Sequence, residues 1–208
     1  DLNSEFDEIR KNLEDNATAD YIASRGEYLN AKLIAAYLGY DFVDSKKMIR
    51  FDEKGRFMED LTNREIAKEL ANHETAVIPG FYGLKVDGTI KTFSRGGSDI
   101  TGALVARAVE ADVYENWTDV SGFLMADPRI VKDPKPISSI SYKELRELSY
   151  MGASVLHEDA IYPARVANIP INIRNTNKPE DPGTIITANP SGHEDGQIIS
   201  GIAGRDRK

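Results

Sequence analysis

Short β-rich segments alternate with longer helical patterns along this chain, and this alternation constrains the fold more than any single motif does. The β-rich segments cover residues 40–43, 75–79, 170–174 and 184–186. Apolar residues recur at helical spacing in segments 1–15, 17–38, 62–70, 100–111, 141–148 and 154–168. Alternating strands and helices form mainly parallel sheets covered by helices on both faces. The sequence therefore predicts an α/β fold, a three-layer αβα sandwich with a mainly parallel central sheet.

Length and composition exclude several classes of protein. The chain has 208 residues, which is enough for one sizeable core, and a formal net charge of -8. A chain this acidic lacks the broad basic surface that nucleic acids and anionic membranes require, so we expect neither as a partner. It contains no cysteine, which excludes disulfides, thiolate catalysis and cysteine-held metals. No hydrophobic run is long enough to cross a bilayer and the first residues are acidic and polar, which favours a cytoplasmic protein.

A pair of glycines, Gly96 and Gly97, lies directly ahead of a helical pattern. Both can adopt positive φ and let a ligand approach the backbone, and Ser98 is predicted to cap the helix. With Arg95 before the pair and Asp99 after it, the turn is predicted to bind an anion. An ordinary turn capped by serine is the alternative that a motif this short leaves open.

A strand-like segment at residues 112–122 contains Thr118 and Asp119, and Asp127 and Arg129 follow shortly after it. Polar residues in these positions fit a ligand site at the end of a strand. Taken alone, Asp119 and Asp127 are better explained as residues that cap loops.

The helical pattern at residues 17–38 contains one glycine, Gly26, and is predicted to stop at Gly39. Glycine inside a helix costs about 1 kcal/mol relative to alanine. Gly26 therefore indicates the close approach of a ligand or of another backbone, with simple helix packing as the alternative. By residue type alone, its neighbour Glu27 is a solvated carboxylate.

Other segments predict local structure without chemistry. Residues 44–60 are expected to form a loop or a small hairpin, residues 80–83 a glycine-bearing loop, and residues 85–91 a hairpin around Asp87 and Gly88. Thr62 or Asn63 is predicted to cap the helix that runs through residue 70.

Ser141 and Glu144 fit a capping box at the start of another helix. The three histidines, His73, His157 and His193, show no spacing typical of metal ligands. We therefore predict no metal held by the protein itself.

Four motifs follow one another in a defined order. They are Ser-Arg-Gly-Gly-Ser-Asp at 94–99, Trp-Thr-Asp-Val at 117–120, Ala-Asp-Pro-Arg at 126–129 and Met-Gly-Ala-Ser-Val-Leu-His at 151–157. Together they resemble the catalytic domain of aspartate kinases, within the amino-acid kinase family. The resemblance extends from about residue 19 to the stretch at 175–184.

The resemblance implies ATP-dependent phosphorylation of L-aspartate to 4-phospho-L-aspartate, the first step of the aspartate-derived amino-acid pathway. Mg²⁺ would be carried with the nucleotide. Glu27 would receive the ammonium group of the substrate and Arg95 its α-carboxylate. Gly96, Gly97 and Ser98 would supply further donors. Asp99 is implied as the catalytic residue that organises charge around the transferring phosphoryl group.

The nucleotide contacts implied by the resemblance are Thr118, Asp119, Leu124, Arg129, Ser154 and Val155. Two of these positions depart from the pattern of the family. Leu124 stands where many members have a tyrosine that stacks on the nucleotide, and Ser154 stands where some have a lysine. Residues 131–136 are a predicted rim of the nucleotide site.

The resemblance also implies a longer parent protein. Aspartate kinases typically open with a Lys-Phe-Gly-Gly motif, which is absent from these residues, so a fold truncated at its N-terminus and a nearly inactive fragment are expected. Residues 1–197 are predicted to form the catalytic domain, with an amino-acid half at about 17–92 and a nucleotide half at about 93–190. Residues 198–208 would begin a strand or linker toward regulatory domains, and the complete enzyme is expected to be a homo-oligomer.

Three functions remain open at this point. The first is aspartate kinase, and the second is another kinase of the same fold that acts on glutamate, acetylglutamate or carbamate. The third is a non-catalytic domain for amino-acid binding or assembly. A different acceptor in competition assays would favour the second, and a lack of nucleotide binding would favour the third.

Overall fold

A computed structural model of the chain describes residues 2–150, 156, 158–190 and 201–202. The chain forms two compact units, Asp1–Thr101 and Gly102–Lys208. The division into an amino-acid half and a nucleotide half stays a prediction. Ser154 and Val155 lie outside the described residues, as do His157, His193 and most of the expected strand at 198–204.

The first unit contains, among its described residues, three complete helices and five short strands. The helices are α1 (Asn3–Glu14), α2 (Ala19–Leu38) and α3 (Glu59–Leu70), and the strands are β1 (Asp41–Phe42), β2 (Arg50–Phe51), β3 (Ala76–Val77), β4 (Tyr82–Lys85) and β5 (Ile90–Thr92). β1 pairs with β3 and β2 with β4 in parallel, whereas β4 and β5 are antiparallel. Helix α4 (Gly97–Ala108) begins at the end of this unit.

Both ends of α2 are stabilised by the residues expected from its sequence pattern. The Thr18 hydroxyl accepts a hydrogen bond from the Tyr21 N–H, and Gly39 adopts a left-handed conformation with φ 70°. Helix α1 has no buried residue, which confirms its predicted place on a surface. Several apolar side chains of α2 are exposed as well, including Leu33 and Tyr37.

The predicted cap of α3 is wrong. The helix begins at Glu59, and Thr62 lies inside it, fully buried. The Thr62 hydroxyl accepts a hydrogen bond from the Arg50 N–H at 3.0 Å and so attaches α3 to β2. The sequence pattern predicts a local cap here because it does not show the distant partner of the threonine.

The hairpin at residues 85–91 is confirmed. Lys85 N–H donates to the Thr89 carbonyl at 2.9 Å, and Gly88 has φ 82°. The preceding glycine loop is shorter than predicted because Gly83 already belongs to β4. A Cβ at Gly83 would lie 2.5 Å from Ile49, so this position requires glycine for close packing.

The second unit is built on a four-stranded sheet in the order β6-β10-β11-β9. Its described elements are β6 (Tyr114–Thr118), β7 (Phe123–Leu124), β8 (Pro136–Ile137), β9 (Ser139–Ser141), α5 (Tyr142–Tyr150), α6 (Glu158–Val166), β10 (Ile171–Asn175) and β11 (Thr184–Thr187). β6 pairs with β10 and β9 with β11 in parallel, whereas β10 and β11 are antiparallel. The carboxyl ends of β6 and β10 therefore lie side by side.

A core of aliphatic residues holds helices against this sheet. Ile171 and Ile173 of β10 are fully buried together with Leu145 of α5 and Ile161 of α6. The apolar spacing of segment 154–168 predicts Val166 on a buried face, but Val166 is 52% exposed because it is the last residue of α6. The capping box is confirmed, since Ser141 N–H and Oγ–H both donate to Glu144 at 2.9 and 2.6 Å.

The alternation of helices and strands and the prevalence of parallel pairing agree with the predicted α/β fold. Within the described residues the strands form four sheets of two, four, three and two strands. Several strands contain only two residues, which limits the number of hydrogen bonds that each can make. No helix in the described part of the chain is long and apolar enough to span a membrane.

Candidate active site

The glycine turn at the start of α4 is packed tightly against the segment before β4. A Cβ at Gly97 would lie 2.6 Å from the Cβ of Phe81, and a Cβ at Gly80 would lie 3.1 Å from the Cα of Ser98. Phe81 N–H donates to the Thr101 hydroxyl at 3.0 Å, and this hydroxyl donates to the Gly97 carbonyl at 2.7 Å. The first turn of α4 is therefore held in place by backbone contacts that exclude larger side chains.

Two details of the predicted turn are corrected. Only Gly96 adopts a positive φ, at 54°, whereas Gly97 does not. The helix starts at Gly97, and the Ile100 N–H donates to the Gly96 carbonyl at 2.8 Å. Ser98 thus lies inside the first turn and is not its cap. Its backbone N–H belongs to the group at a helix start that has no partner within the helix.

The polar side chains of the turn differ in exposure and in partners. Arg95 and Ser98 are exposed, and neither side chain has a hydrogen-bond or ion-pair partner among the described residues. Asp99 is partly buried in the first turn of α4, where a carboxylate is favoured by the helix dipole. A free guanidinium in front of the N–H groups of a helix start is suited to bind a carboxylate or a phosphate.

Helix α2 is attached to the strand that leads into the glycine turn. Asp20 accepts hydrogen bonds from the Lys91 ammonium at 3.0 Å and the Thr92 hydroxyl at 2.5 Å. Burial alone would raise the pKa of Asp20, but these hydrogen bonds outweigh it and lower the pKa below its ordinary value. Lys91 is thus occupied by an ion pair.

Glu27 lies on an exposed part of α2 and makes no hydrogen bond or ion pair within the described chain. A Cβ at its neighbour Gly26 would meet no atom within 4 Å. In the part of the chain that the structure describes, neither the close approach of another backbone nor helix packing explains why residue 26 is a glycine. The remaining explanation from the sequence, access for a ligand beside Glu27, stays open.

Sequence reasoning missed the burial of Arg25, which is only 8% exposed. Its guanidinium lies 4.6 and 4.4 Å from the ring centroids of Tyr21 and Tyr28 and donates to the Ser24 hydroxyl. Stacking on aromatic faces allows a weakly hydrated guanidinium to be buried. The available sequence signal is the pair of tyrosines that precede and follow Arg25 at helical spacing.

In the second unit, two of the candidate nucleotide residues, Thr118 and Asp119, lie at the shared carboxyl edge of β6 and β10. Thr118 ends β6 opposite Asn175 at the end of β10. The Thr176 N–H donates to the Thr118 carbonyl at 2.8 Å, and the Thr118 hydroxyl donates to Asp119 at 3.3 Å. In α/β sheets, the carboxyl edge of parallel strands is where ligands bind.

Asp127 and Arg129 form a local pair beyond this edge. Arg129 donates through Nε and Nη2 to the Asp127 carboxylate, with a shortest distance of 2.6 Å, and its backbone N–H donates to the same carboxylate. The Arg129 hydrogen bonds lower the pKa of Asp127 to about 2. The interpretation of Asp127 as a loop cap is supported, while the Arg129 side chain remains 85% exposed. Leu124 is also exposed.

A second group that sequence reasoning missed joins the loops after β6 and β10. The Asn175 amide donates to the Ser121 hydroxyl at 2.9 Å, and this hydroxyl donates to Asp181 at 2.6 Å. Gly122, with φ 94°, allows the Thr184 hydroxyl to reach the Phe123 N–H at 2.8 Å. Small polar residues that directly follow two strands are the available sequence signal, but their partners are about 60 residues away.

Among the described residues, no group of three histidine, cysteine, aspartate or glutamate side chains is placed to hold a metal ion. His73 instead lies 2.7 Å from Asp41 through its Nδ1 atom. The described side chains therefore do not form a metal centre of their own.

Comparisons with known proteins place this geometry in context. Residues 2–175 match the amino acid kinase family. Aspartokinase 3 of Bacillus subtilis (strain 168) is 42% identical over 178 residues, which cover 81% of this chain and 39% of the relative. The crystal structure of aspartate kinase from Clostridium acetobutylicum is 54% identical, with a TM-score of 0.88 over 98% of this chain and 46% of that chain.

A more distant structure, E. coli aspartokinase III in complex with aspartate and ADP, is 27% identical with a TM-score of 0.77. The match covers 97% of this chain and 50% of that chain. The chain therefore spans half or less of the length of each of these three relatives.

Proposed function

Because the chain belongs to the amino acid kinase family, we propose that it provides the substrate sites for ATP-dependent phosphorylation of L-aspartate to 4-phospho-L-aspartate. The observation that carries this proposal is the glycine turn. An exposed Arg95 lies just before the first-turn N–H groups of α4, and close packing at Gly97 holds that backbone. The names of the relatives, aspartokinase and aspartate kinase, favour aspartate as the acceptor.

On the amino-acid side, each exposed group has a role that fits its chemistry. Arg95 presents a planar fork that can bind the α-carboxylate through two hydrogen bonds. Glu27 can accept the ammonium group, and Gly96, Gly97 and Ser98 can supply backbone or hydroxyl donors. These interactions would hold the β-carboxylate of the substrate as the nucleophile.

On the nucleotide side, Thr118 and Asp119 are proposed to contact ATP at the carboxyl edge of β6. Arg129 is proposed to bind a phosphate, which requires it to exchange or share its bond with Asp127. Leu124 offers an exposed apolar surface where a relative with tyrosine would offer an aromatic ring. The proposed contacts of Ser154 and Val155 rest on their sequence positions alone.

The reaction transfers a phosphoryl group and needs little covalent work from the protein. An oxygen of the aspartate β-carboxylate attacks the γ-phosphorus, the bond from that phosphorus to the β,γ-bridging oxygen breaks, and ADP leaves with its electron pair. Asp99 is proposed to organise charge around the transferring group. Since the described residues form no metal centre, Mg²⁺ is proposed to arrive with ATP, and no protein ligand is assigned to it.

Titration calorimetry on the 208-residue chain tests the substrate sites directly. We expect saturable binding of ATP, and of L-aspartate in preference to L-glutamate and N-acetyl-L-glutamate. Trapping of the acyl phosphate with hydroxylamine measures transfer in the same samples. Preference for another acid would indicate a different kinase of this family, and binding of amino acid without ATP would indicate a non-catalytic domain.

A homo-oligomeric complete enzyme in the cytoplasm is proposed from the resemblance alone.

A further inference from the structure

Two loops of the second unit meet at the proposed nucleotide edge. The first loop, residues 119–122, follows β6 and carries Asp119. The second loop, residues 176–183, follows β10. A backbone hydrogen bond from Thr176 to the Thr118 carbonyl, at 2.8 Å, joins them where the strands end. Beyond that point the loops are connected through side chains.

We call the three side chains of this connection, Ser121, Asn175 and Asp181, the clasp. The Asn175 amide donates to the Ser121 hydroxyl at 2.9 Å, and that hydroxyl donates to the Asp181 carboxylate at 2.6 Å. At its other end the Asn175 amide oxygen accepts from the Asn177 N–H at 2.9 Å. Four groups therefore form one continuous chain of hydrogen bonds across both loops.

Burial makes this chain costly to break. Asn175 is only 6% exposed, so its amide depends on the clasp for hydrogen bonds that water would otherwise supply. Ser121 is the central member, because its hydroxyl both accepts and donates. Removal of that single oxygen breaks two bonds and leaves the amide of Asn175 and the carboxylate of Asp181 without this partner.

A second set of contacts holds the second loop from another direction. The Arg174 guanidinium stacks over Trp117 at 4.8 Å from the ring centroid and donates to the Pro179 carbonyl at 2.7 Å. Trp117 directly precedes Thr118 and is the single tryptophan of the chain. Its fluorescence can therefore report a change at this edge without a label.

We propose that the members of the clasp are positioning residues for the nucleotide. They hold the first loop against the second, so that Thr118 and Asp119 are ordered before ATP binds. This inference rests on the proposed function, and none of the three residues is assigned a contact with substrate. Ordering a loop in advance lowers the entropic cost of binding. The clasp should therefore affect the affinity for ATP as well as the stability of the fold.

The chain contains a matched control for the central bond. Ser121 and Ser141 are both partly buried, and each hydroxyl donates to a carboxylate at 2.6 Å, Ser121 to Asp181 and Ser141 to Glu144. Ser141 belongs to the capping box of α5 and is not a member of the clasp. Ser121→Ala and Ser141→Ala thus remove the same chemical group from the same unit in two different places.

The test compares both variants with the unchanged chain by calorimetry with ATP, by Trp117 fluorescence and by thermal unfolding. We expect Ser121→Ala to raise the dissociation constant for ATP about tenfold. Without the clasp, the loop must be ordered when ATP binds, and an entropic cost that weakens binding by this factor is typical of immobilised groups. Ser141→Ala should change the dissociation constant for ATP by no more than about twofold, even if it lowers the melting temperature as much as Ser121→Ala does. An ATP affinity that is equal in Ser121→Ala and the unchanged chain, or that falls equally in both variants, overturns the proposal.

Asp181→Asn provides a variant that preserves volume in case Ser121→Ala does not fold. It weakens the acceptor of the Ser121 hydroxyl and should weaken ATP binding by about threefold. Unchanged binding in this variant also counts against the clasp. If the unchanged chain binds no ATP, the proposed function itself fails and the clasp proposal falls with it. That result can be told apart from failure of the clasp proposal alone, in which the unchanged chain binds ATP and neither substitution alters the binding.

Discussion

The glycine turn of the first unit and the carboxyl edge of the second unit achieve local order in different ways. At the glycine turn, order comes from backbone packing, with Gly97 and Gly80 held against Phe81 and Ser98. The charged side chain of Arg95 takes no part in this packing and is exposed. At the edge of β6 and β10, polar side chains bind one another, as Asn175 does with Ser121 and Ser121 with Asp181.

At the glycine turn, ligand affinity and fold stability therefore depend on different groups. At the β6–β10 edge, both depend on the same side chains. A charge that contributes nothing to packing can be removed from the glycine turn without loss of structure. At the β6–β10 edge, a change in one side chain leaves the side chain bound to it without its partner. The following predictions test this contrast, beginning with the largest expected effect.

Gly97→Ala should damage the first unit severely. The new Cβ would lie 2.6 Å from the Cβ and 2.9 Å from the Cα of Phe81, so one of the two backbones must move. Overpacking of this kind costs about 1–3 kcal/mol. The free energy of unfolding from urea titration measures the loss, and L-aspartate binding should fall with it.

Gly26→Ala is the control for this substitution. It adds the same methyl group where nothing lies within 4 Å, and it replaces glycine inside a helix. It should stabilise the chain by about 0.5–1 kcal/mol. Equal destabilisation by both substitutions would contradict the assignment of tight packing to Gly97. Weaker aspartate binding by a more stable Gly26→Ala chain would support ligand access at this position.

Arg95→Ala should weaken L-aspartate binding without changing stability. A charge-assisted hydrogen bond contributes about 1.5–3 kcal/mol, which corresponds to a dissociation constant raised about 10- to 150-fold. The melting temperature should stay unchanged because the exposed side chain has no partner within the described residues. Calorimetry with L-aspartate and ATP separates the two sites, and an unaltered affinity for aspartate would remove Arg95 from the site.

Asp127→Asn should strengthen ATP binding slightly. Asparagine keeps an oxygen that can accept from the Arg129 N–H, but it no longer competes as a charge for the guanidinium. Because the ion pair is exposed, only a small increase in affinity, up to about fivefold, is expected. Asp112→Asn removes one exposed carboxylate from the same unit and controls for net charge. An equal gain in both variants would assign the effect to net charge and not to release of Arg129.

Several local features were predicted well from a single segment of sequence that contains all the interacting groups. The capping box at Ser141 and Glu144, the left-handed Gly39 and the hairpin at Gly88 each depend on residues within a few positions. The alternation of strands and helices likewise predicted the α/β class. Thr62 was assigned wrongly because its hydroxyl binds Arg50, twelve residues away and in a different element.

The candidate site divides along the same line. Arg95, Asp119 and Arg129 could be selected from the sequence because motifs of charged and glycine residues are contiguous. Two features of the glycine turn depend on how Gly97 packs against Phe81. They are the positive φ at Gly96 alone and the place of Ser98 inside the helix. The pairing of Arg129 with Asp127 was not predicted, although the two residues are close in sequence, because an exposed arginine has many conformations available.

The sequence by itself determined the class of fold, the order of the motifs and the chemical groups that a substrate can meet. These properties follow from hydrophobic periodicity, turn residues and charge, which act over a few residues. Only the tertiary structure decided that Arg25 is buried against tyrosine rings and that Asn175 reaches Ser121. Asn175 reaches Ser121 because β6 pairs with β10, and Arg25 is buried because α2 also packs next to Tyr82 of β4, so no local pattern specifies either result.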